Sequence, residues 1–451
     1  MEKEKLLNLI ENKKIKEFKE EVSILEYVDV AELIEELNDA TQVIAFRMLP
    51  KDIAADVFSY LPIDSQETII ASITDKEINA IIEDLYIDDA VDLLDELPSS
   101  IVKKILANAK PETRNLLNQF LKYSEGTAGS IMTSEYIDLK KDNSVLDAIN
   151  KIRRVGQDKE DIYTCYVTDS QRHLQGVVSA KALLLSNETT KISELMDENY
   201  IYCTTSDDKE EVANLLQKYD LLALPVVDNE NRLVGIITID DAVDVISEEV
   251  EEDFEKMAAM LPSEKPYLQT SVFTLFKNRI VWLIILMISG MLTGLILEQY
   301  EVAIQAIPLL VSFVPMLNGT GGNSGAQSAT MCVRGLTTGE ITSKQWLKVW
   351  WKEFRVSILV SITLAILNFL RIVLLSDESK MAGHSKYEVA LVVCGALIAT
   401  IILAKSLGAL LPLLAKKLKL DPAVCASPLI TTIIDCACIL IYFLLATTFL
   451  L

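Results

Sequence analysis

Short helical units fill the first part of the chain. Over residues 1–125, apolar residues recur at roughly i, i+3, i+4 and i+7, as in the segments 29–39, 52–62 and 88–98. This spacing is typical of amphipathic helices, and Leu-Pro pairs mark the ends of several of them. Each apolar face needs a neighbour to cover it. We therefore predict an all-α superhelical N-domain over residues 1–128, built as a stacked bundle or a right-angled solenoid.

A tandem repeat follows the helical units. IMTSEYI at 131–137 aligns with LMDENYI at 195–201, and YVTDSQRHLQGVVS at 166–179 aligns with PVVDNENRLVGIIT at 225–238. The two offsets differ, and we assign the difference to a loop insertion around 156–161. Strand-forming runs with turn residues before them predict two α/β domains, over 129–190 and 191–249. The pattern resembles a pair of CBS domains.

An acidic helix leads from the repeat towards the apolar half of the chain. Acids cover much of its surface, whereas one helical face carries the apolar residues Val243, Ile246, Val250, Phe254 and Met257. We assign residues 250–275 to an acidic connecting helix that ends at Pro262 and can link the two halves mechanically. A solvated linker helix is the alternative.

Five apolar stretches occupy the rest of the chain. They cover roughly 280–297, 303–327, 355–375, 387–414 and 427–451. Each approaches the roughly 20 residues that a helix needs to cross a bilayer. We therefore predict a five-helix α transmembrane domain over residues 276–451.

Basic residues predict the orientation of these spans. They precede the first span and fill the loops between the second and third and between the fourth and fifth, whereas the loop EQYE between the first and second has none. We expect a multi-pass protein of the cell membrane with a cytoplasmic N-terminal half and its C-terminus outside.

Charge divides the chain in the same way. Residues 1–265 carry 56 acidic and 28 basic residues, whereas residues 266–451 carry 9 acidic and 14 basic. The acidic half attracts cations and repels phosphates, so we expect no nucleic acid partner. The sequence has no nucleophile–base pair, P-loop or HExxH motif, so we do not expect an enzyme.

Asp435 is the only acid deep inside a predicted span. An aspartate at the centre of a lone helix costs about 2.5–3.5 kcal/mol on insertion scales, so it should face protein or a water-filled cavity. A hydrogen-bonded structural aspartate is the alternative interpretation.

The second apolar stretch contains the motif VPMLNGTGGNSGAQSAT at 314–330. Its proline and glycines predict a broken or bent helix, which at membrane depth must line a cavity or be buried in protein. The glycines would alternatively serve close helix packing. Neutral oxygens near an ion path would come from Asn318, Thr320, Asn323 and Gln327.

One carboxylate with amide and carbonyl oxygens is a ligand set for hard cations such as Mg²⁺, Ca²⁺ or Mn²⁺. A two-fold dimer would place two copies of Asp435 around one axis and give a more complete site. The residues alone leave the ion within this group open.

The order of these segments resembles the MgtE family of Mg²⁺ channels and transporters over essentially the whole chain. The specific motifs are PMLNGTGGNSGAQSATMCVRGLTTGE at 315–340 and LDPAVCASPLITTIID at 420–435. The resemblance implies a homodimer in membrane lipid, with a pore at the dimer axis lined by the second and fifth spans. It implies that Asp435 binds hydrated Mg²⁺. Together with the neutral groups of the glycine-rich motif, this predicts a pore site at Asp435, Asn318, Gly321, Asn323 and Gln327.

The same resemblance implies that cytoplasmic Mg²⁺ closes the pore by bridging acids of the N-domain, the CBS pair and the connecting helix. Asp56 stands where the family pattern has glutamate, which keeps the charge but shortens the reach. The implied regulatory residues are Asp56, Asp88 and Asp92, then Asp208, Glu210, Asp220, Asp241 and Asp244, then Glu249, Glu252 and Asp253.

Two other functions fit part of the same pattern. An ion-coupled carrier of Mn²⁺, Co²⁺ or Ca²⁺ would show the same hard ligands. A membrane-anchored nucleotide sensor would use the CBS pair, in which Thr238 and Asp241 have the T-x-x-D spacing that such domains use for a ribose. The first copy has Ser179 and Ala182 there, so ATP is expected at one site of the pair. An anchor alone explains neither Asp435 nor the glycine-rich motif.

Overall fold

The chain folds into two compact units, one up to Ser247 and one from Glu248 onward. The computed structural model describes residues 2–12, 14–51, 53–263, 267–268, 270–376, 381, 383–425 and 427–451. Each unit is described by itself below.

Short helices build the first part of the first unit, as the sequence predicts. Polar caps and prolines begin many of them: Asn38 accepts a hydrogen bond from the backbone N–H of Thr41, and Thr74 and Glu77 form a capping box. The helices are α1 (Glu2–Glu11), α2 (Ile15–Val22), α3 (Tyr27–Glu35), α4 (Asp39–Met48), α5 (Ala54–Ser59), α6 (Ile63–Ser72), α7 (Asp75–Asp84), α8 (Ile87–Glu96), α9 (Ser99–Asn108) and α10 (Pro111–Phe120).

Two small sheets with the same topology follow, which confirms the tandem repeat. In each sheet the first pair of strands is parallel and the second pair antiparallel. The left-handed turn residues Arg172 and Asn231 occupy equivalent hairpins. The elements are β1 (Ile137–Leu139), α11 (Val145–Val155), β2 (Thr164–Thr168), β3 (Leu174–Ser179), α12 (Ala180–Leu185) and α13 (Ile192–Leu195), then β4 (Cys203–Thr204), α14 (Lys209–Tyr219), β5 (Ala223–Val227), β6 (Leu233–Thr238) and α15 (Ile239–Met257).

One apolar core joins the N-domain to the second CBS-like domain. It includes Ile87 and Val91 of α8, Leu224 of β5, and Ala242 and Val245 of α15. Burial of these side chains supplies the main stabilisation of the unit. It also sets the N-terminal turn of α8 beside the N-terminal turn of α15.

The second unit is helical beyond α15. Four helical segments among the described residues are long and apolar enough to cross a membrane, at 272–299, 343–375, 386–417 and 428–450. The remaining predicted span contains a helix that is more polar, so the count of five spans stays a prediction. The helices are α16 (Val272–Gln299), α17 (Glu301–Ala306), α18 (Val314–Thr337), α19 (Trp346–Leu375), α20 (Lys386–Lys417) and α21 (Ser427–Leu450).

The glycine-rich motif does not break its helix. The expectation of a broken backbone is wrong, because α18 runs without interruption from Val314 to Thr337. Pro315 lies in the first turn, where its missing N–H and fixed φ are tolerated. Three of its glycines, Gly321, Gly322 and Gly325, serve close packing instead: a Cβ on Gly325 would lie 2.2 Å from Cδ1 of Ile434 in α21.

Candidate functional site

Three carboxylates meet inside the first unit. Asp88, Glu160 and Asp241 each bring an oxygen to a point where all three lie within 4.8 Å of one another. We call these residues the acid cluster. Asp88 and Asp241 occupy the first turns of α8 and α15, and Glu160 precedes β2. The N-domain and both repeats therefore each contribute one acid.

Local contacts hold these acids in place. The hydroxyl of Thr238 donates a 2.5 Å hydrogen bond to Oδ2 of Asp241, which fixes that carboxylate at the start of α15. The backbone N–H of Glu160 donates to the carbonyl of Glu135 at 3.1 Å. Oδ1 of Asp88 and Oε2 of Glu160 are buried and have no hydrogen-bond partner among the described residues.

The electrostatics of the acid cluster disfavour three negative charges. Burial, and then the charges of Glu160 and Asp241, raise the pKa of Asp88 well above its usual range. Burial and the charge of Asp241 raise the pKa of Glu160 to about 8, and burial raises the pKa of Asp241 to about 6. Mutually repulsive carboxylates with two buried, unpartnered oxygens match the ligands that a hard divalent cation prefers.

Further acids surround the cluster. Burial and then the charges of Asp240, Asp89, Asp56 and Asp244 raise the pKa of Tyr60, so these carboxylates share its neighbourhood. Asp92 lies one turn beyond Asp88 on α8 and lines a cavity of about 210 Å³. The predicted residues Asp56, Asp92 and Asp244 thus belong to the same region of the first unit.

The predicted residues of α14 take structural positions. Asp208 is the N-cap of that helix and accepts hydrogen bonds from the backbone N–H groups of Glu210 and Glu211. Asp220 is the left-handed C-cap, with φ 52°. The twelve-residue separation along a helix places Asp208 and Asp220 about 18 Å apart, so they cannot share one ion.

The predicted acids of the connecting helix lie on α15 in the second unit. Glu249 is half-buried. Oε1 of Glu252 lies 2.5 Å from Nζ of Lys256. Burial, and then the charge of Asp421, raise the pKa of Asp253. The helix therefore ends among charged groups of both signs.

Two buried polar oxygens mark the membrane-type helices. Oδ1 of Asp435 and Oδ1 of Asn318 have no hydrogen-bond partner among the described residues. The helices that carry them are in close contact, since a Cβ on Gly321 would lie 3.0 Å from Cγ2 of Ile434. Gly321 is one turn from Asn318, and Ile434 precedes Asp435 in the chain.

The other predicted pore residues lie elsewhere on α18. Asn323 and Gln327 are exposed and line an open cavity of about 720 Å³ further along the helix. The residues predicted for the pore therefore fall into two groups: Asn318 and Gly321 lie on the part of α18 that contacts α21, the helix of Asp435, whereas Asn323 and Gln327 line this cavity.

Comparison with known proteins decides the family. The model of the MgtE intracellular N domain matches residues 25–126, that of the CBS domain matches 128–186 and 192–248, and that of the MgtE divalent cation transporter matches 314–445. The magnesium transporter MgtE of Thermus thermophilus is 34% identical over 92% of this chain and 91% of its own length. The chain belongs to the MgtE family.

Other MgtE proteins agree with this assignment. The magnesium transporter MgtE of Bacillus subtilis is 29% identical over 99% of this chain and 96% of its own length. Two crystal structures match the first part of the chain. The soluble part of a magnesium transporter has a TM-score of 0.53 and 30% identity and covers 55% of this chain and 98% of its own. The cytosolic domain of the Mg²⁺ channel MgtE in complex with ATP has a TM-score of 0.51 and 32% identity. It covers 53% of this chain and 98% of its own.

Glu160 is the residue of the acid cluster that the sequence does not reveal. It lies in GQDKED, the segment that the repeat alignment assigns to a loop insertion. An extra acid in an acidic MgtE chain carries no periodic signal, because only the fold brings it beside Asp88 and Asp241. A helpful signal would have been that this insertion interrupts the first copy only, in an otherwise regular repeat.

Proposed function

We propose that this MgtE-family chain carries Mg²⁺ into the cell and that Mg²⁺ bound by its cytoplasmic half closes the path. The acid cluster is the observation that carries the proposal. Three carboxylates from three domains meet with two buried, unpartnered oxygens. The relatives from Thermus thermophilus and Bacillus subtilis are magnesium transporters. Mg²⁺ is a hard cation that matches such oxygen ligands.

Gating follows from linkage. A cation that binds only when the three domains are packed together stabilises that arrangement by mass action. Asp241 in the first turn of α15 and Lys256 in the last belong to one continuous helix. We propose that this helix couples occupation of the acid cluster to closure of the path, which makes rising internal Mg²⁺ an allosteric inhibitor of entry.

We propose that the permeating ion passes Asp435 and Asn318. A polar atom buried without a partner costs several kcal/mol in an apolar medium, so two such oxygens among apolar helices favour a site for a passing ligand. A carboxylate and an amide oxygen would hold Mg²⁺ through its water shell. The regulatory ligands proposed with them are the acids predicted from the sequence together with Glu160.

We propose a homodimer with its C-terminus outside the cell. Asn323, Gln327 and Thr330 form an exposed polar face on α18, and such a face is costly against lipid. A second copy of the chain would cover it and place both Asp435 carboxylates near one axis.

We infer that the CBS pair also binds ATP. The similar cytosolic domain of the Mg²⁺ channel MgtE, at 32% identity, was crystallised as a complex with ATP. In the second CBS-like copy of this chain, Thr238 and Asp241 have the T-x-x-D spacing that such domains use to bind a ribose. Titration calorimetry of the Mg²⁺-free protein with ATP tests this inference. Asp241→Asn should abolish binding and Ser179→Ala should keep it, whereas equal binding by both variants would argue against the site.

Flux into proteoliposomes tests the transport proposal. Purified protein is reconstituted with an internal Mg²⁺ dye, and Asp435→Asn is compared with the wild type and with Thr448→Val, a control on the same helix. We expect Asp435→Asn to lose most Mg²⁺ flux while it still assembles as a dimer. Wild-type flux in this variant would remove Asp435 from the path. Flux of Mn²⁺, Co²⁺ or Ca²⁺ that depends on a Na⁺ or H⁺ gradient would establish the coupled carrier instead.

Varying internal Mg²⁺ tests the gating proposal. Flux of the triple variant Asp88→Asn, Glu160→Gln, Asp241→Asn should continue at internal Mg²⁺ concentrations that stop the wild type. Glu251→Gln, an exposed acid on α15, is the matched control. Closure of the triple variant at the wild-type concentration would contradict the assigned role of the acid cluster.

A further inference from the structure

An ion pair between a buried lysine and a half-buried glutamate in the second unit lies outside the residues assigned above. Lys405 of α20 is 4% exposed, and its Nζ lies 3.7 Å from Oε2 of Glu353 on α19. Ser328 of α18 lies between them. Its hydroxyl donates to the same Oε2 at 2.6 Å and accepts from Nζ of Lys405 at 3.2 Å. Three helices therefore converge on one carboxylate oxygen.

The pair lies well inside its helices. Glu353 is seven residues from the start of α19 and Lys405 twelve residues from the end of α20. At 1.5 Å per residue these positions are about 10 Å and about 18 Å from the helix ends. Lys405 also lies within the apolar stretch 387–414, where an ionisable group is costly and faces protein or a water-filled cavity, whereas Glu353 lies two residues before the stretch 355–375.

The crossing of α18 and α20 fixes this geometry. A Cβ on Gly408 would lie 2.3 Å from the carbonyl oxygen of Gly325 and 3.2 Å from Cβ of Ser328. The two backbones are thus as close as glycine permits. Lys405, one turn from Gly408, is held beside Ser328 by this contact and not by its own ion pair alone.

The ion pair forms part of the wall of the 720 Å³ cavity that Asn323 and Gln327 also line. Among the described lining residues, Glu353 and Lys405 alone carry charge. The wall is therefore neutral overall, but it offers one carboxylate and two amide groups. That is a donor set for a hydrated hard cation.

Stability alone does not account for the pair. Replacing a buried ion pair by apolar residues of similar volume is often neutral or stabilising, because desolvation offsets the attraction. Conduction, in contrast, needs a site that attracts an ion yet releases it quickly. A fixed ammonium beside a carboxylate meets both needs, because it neutralises the empty site and repels the bound ion.

We propose that Lys405 is a tethered counter-ion of Glu353, which a passing hydrated divalent cation displaces from the carboxylate. Glu353, Asn323 and Gln327 then form a second cation station on the cytoplasmic side of Asp435. This inference rests on the proposed transport function and deepens it. Ser328 is a positioning residue that holds the carboxylate and the ammonium in register.

Kinetics of Mg²⁺ flux in proteoliposomes test the station. Lys405→Met leaves the carboxylate without its competitor, so the half-saturating Mg²⁺ concentration should fall about tenfold and the maximal flux should fall with it. Glu353→Gln leaves the ammonium alone and should reduce flux at least tenfold. Lys417→Met, at the exposed end of α20, is the control and should match the wild type. A half-saturating Mg²⁺ concentration equal to that of the wild type in both Lys405→Met and Glu353→Gln would overturn the proposal.

Ion counting keeps the proposal testable if a single variant fails to fold. Bound Mn²⁺ is measured by electron paramagnetic resonance on the detergent-solubilised full chain. The background variant Asp435→Asn should bind one more Mn²⁺ per subunit than the same variant with Glu353→Gln and Lys405→Met added. Equal counts would overturn the station. The count does not depend on flux, so a failure of Mg²⁺ transport itself would be seen separately.

Discussion

Nζ of Lys256, in the last turn of α15, lies 2.7 Å from Oδ2 of Asp421 in the segment that leads into α21. Oδ1 of the same aspartate accepts a hydrogen bond from the backbone N–H of Ala423 at 2.8 Å. Burial alone would lower the pKa of Lys256, but hydrogen bonds to Asp421 and Glu252 outweigh it and raise the pKa. The lysine therefore stays charged at physiological pH and ties the connecting helix to the segment before the last helix.

Reversing this charge should loosen the proposed gate. Lys256→Glu places a third negative charge beside Asp421 and Glu252, so α15 should lose its attachment to the segment before α21. We expect the internal Mg²⁺ concentration for half-maximal closure to rise several-fold in the proteoliposome assay. The swap Lys256→Glu with Asp421→Lys should restore it, and Lys419→Glu is the matched control in the same segment. Unchanged closure in Lys256→Glu would show that the ion pair plays no part in gating.

The acid cluster should make the Mg²⁺-free protein more stable in mild acid. The folded-state pKa of Glu160 is raised to about 8 and that of Asp241 to about 6. A raised carboxyl pKa means that the folded state binds more protons than the unfolded state, so stability falls as pH rises through these values. Hydrogen exchange of the first unit, corrected for intrinsic rates, should show more protection at pH 5.5 than at pH 8.5 in chelator.

Millimolar Mg²⁺ should remove that pH dependence at the alkaline end, because a bound cation compensates the charges that protons would neutralise. K⁺ at matched ionic strength is the control. Equal protection by K⁺ would indicate simple screening of the acidic surface.

Glu160→Gln separates the role of this residue from that of its neighbours. Above pH 8, where the carboxyl of Glu160 is ionised, removing its charge from beside the other buried acids should raise the stability of the Mg²⁺-free protein. The substitution also removes a charged ligand oxygen. The Mg²⁺ concentration that protects the first unit from proteolysis should therefore rise roughly tenfold, which corresponds to a loss of about 1.4 kcal/mol of binding free energy. Asp158→Asn, an exposed acid in the same loop, should change neither property. The prediction fails if Glu160→Gln and Asp158→Asn behave alike.

Sequence periodicity predicts the helices of the N-domain and the two sheets, whereas the count of five spans stays a prediction. Amphipathic spacing predicts the helices of the N-domain, and the aligned turn residues predict two equal sheets, because both signals are local. The prediction of a broken helix at the glycines of α18 was wrong because it also rests on a local signal. A local rule treats Gly321 and Gly325 as helix breakers, whereas their neighbours on α20 and α21 make them contact points that only the folded structure shows.

The sites depend on contacts between distant segments, and this limits their prediction. Asp88 and Asp241 were predicted through the family resemblance, but Glu160 joins them from a loop whose sequence shows no pattern. Lys405 lies inside an apolar stretch, and Glu353 just before another. Their pairing follows from the crossing of α18 and α20, which no spacing in the sequence encodes.

Gly408 should be intolerant of a single added methyl group. Its Cβ would lie 2.3 Å from the carbonyl oxygen of Gly325, a backbone atom that cannot turn aside, so α18 and α20 would have to separate. Overpacking of this kind costs about 1–3 kcal/mol, and Gly408→Ala should lower the thermal unfolding temperature in detergent by several degrees. Gly294→Ala on α16 is the control, since nothing lies within 4 Å of the Cβ it would gain, and alanine is the better helix former there. Equal unfolding temperatures in the two variants would mean that α18 and α20 can move apart freely, and Ser328 could then not hold Glu353 and Lys405 in register.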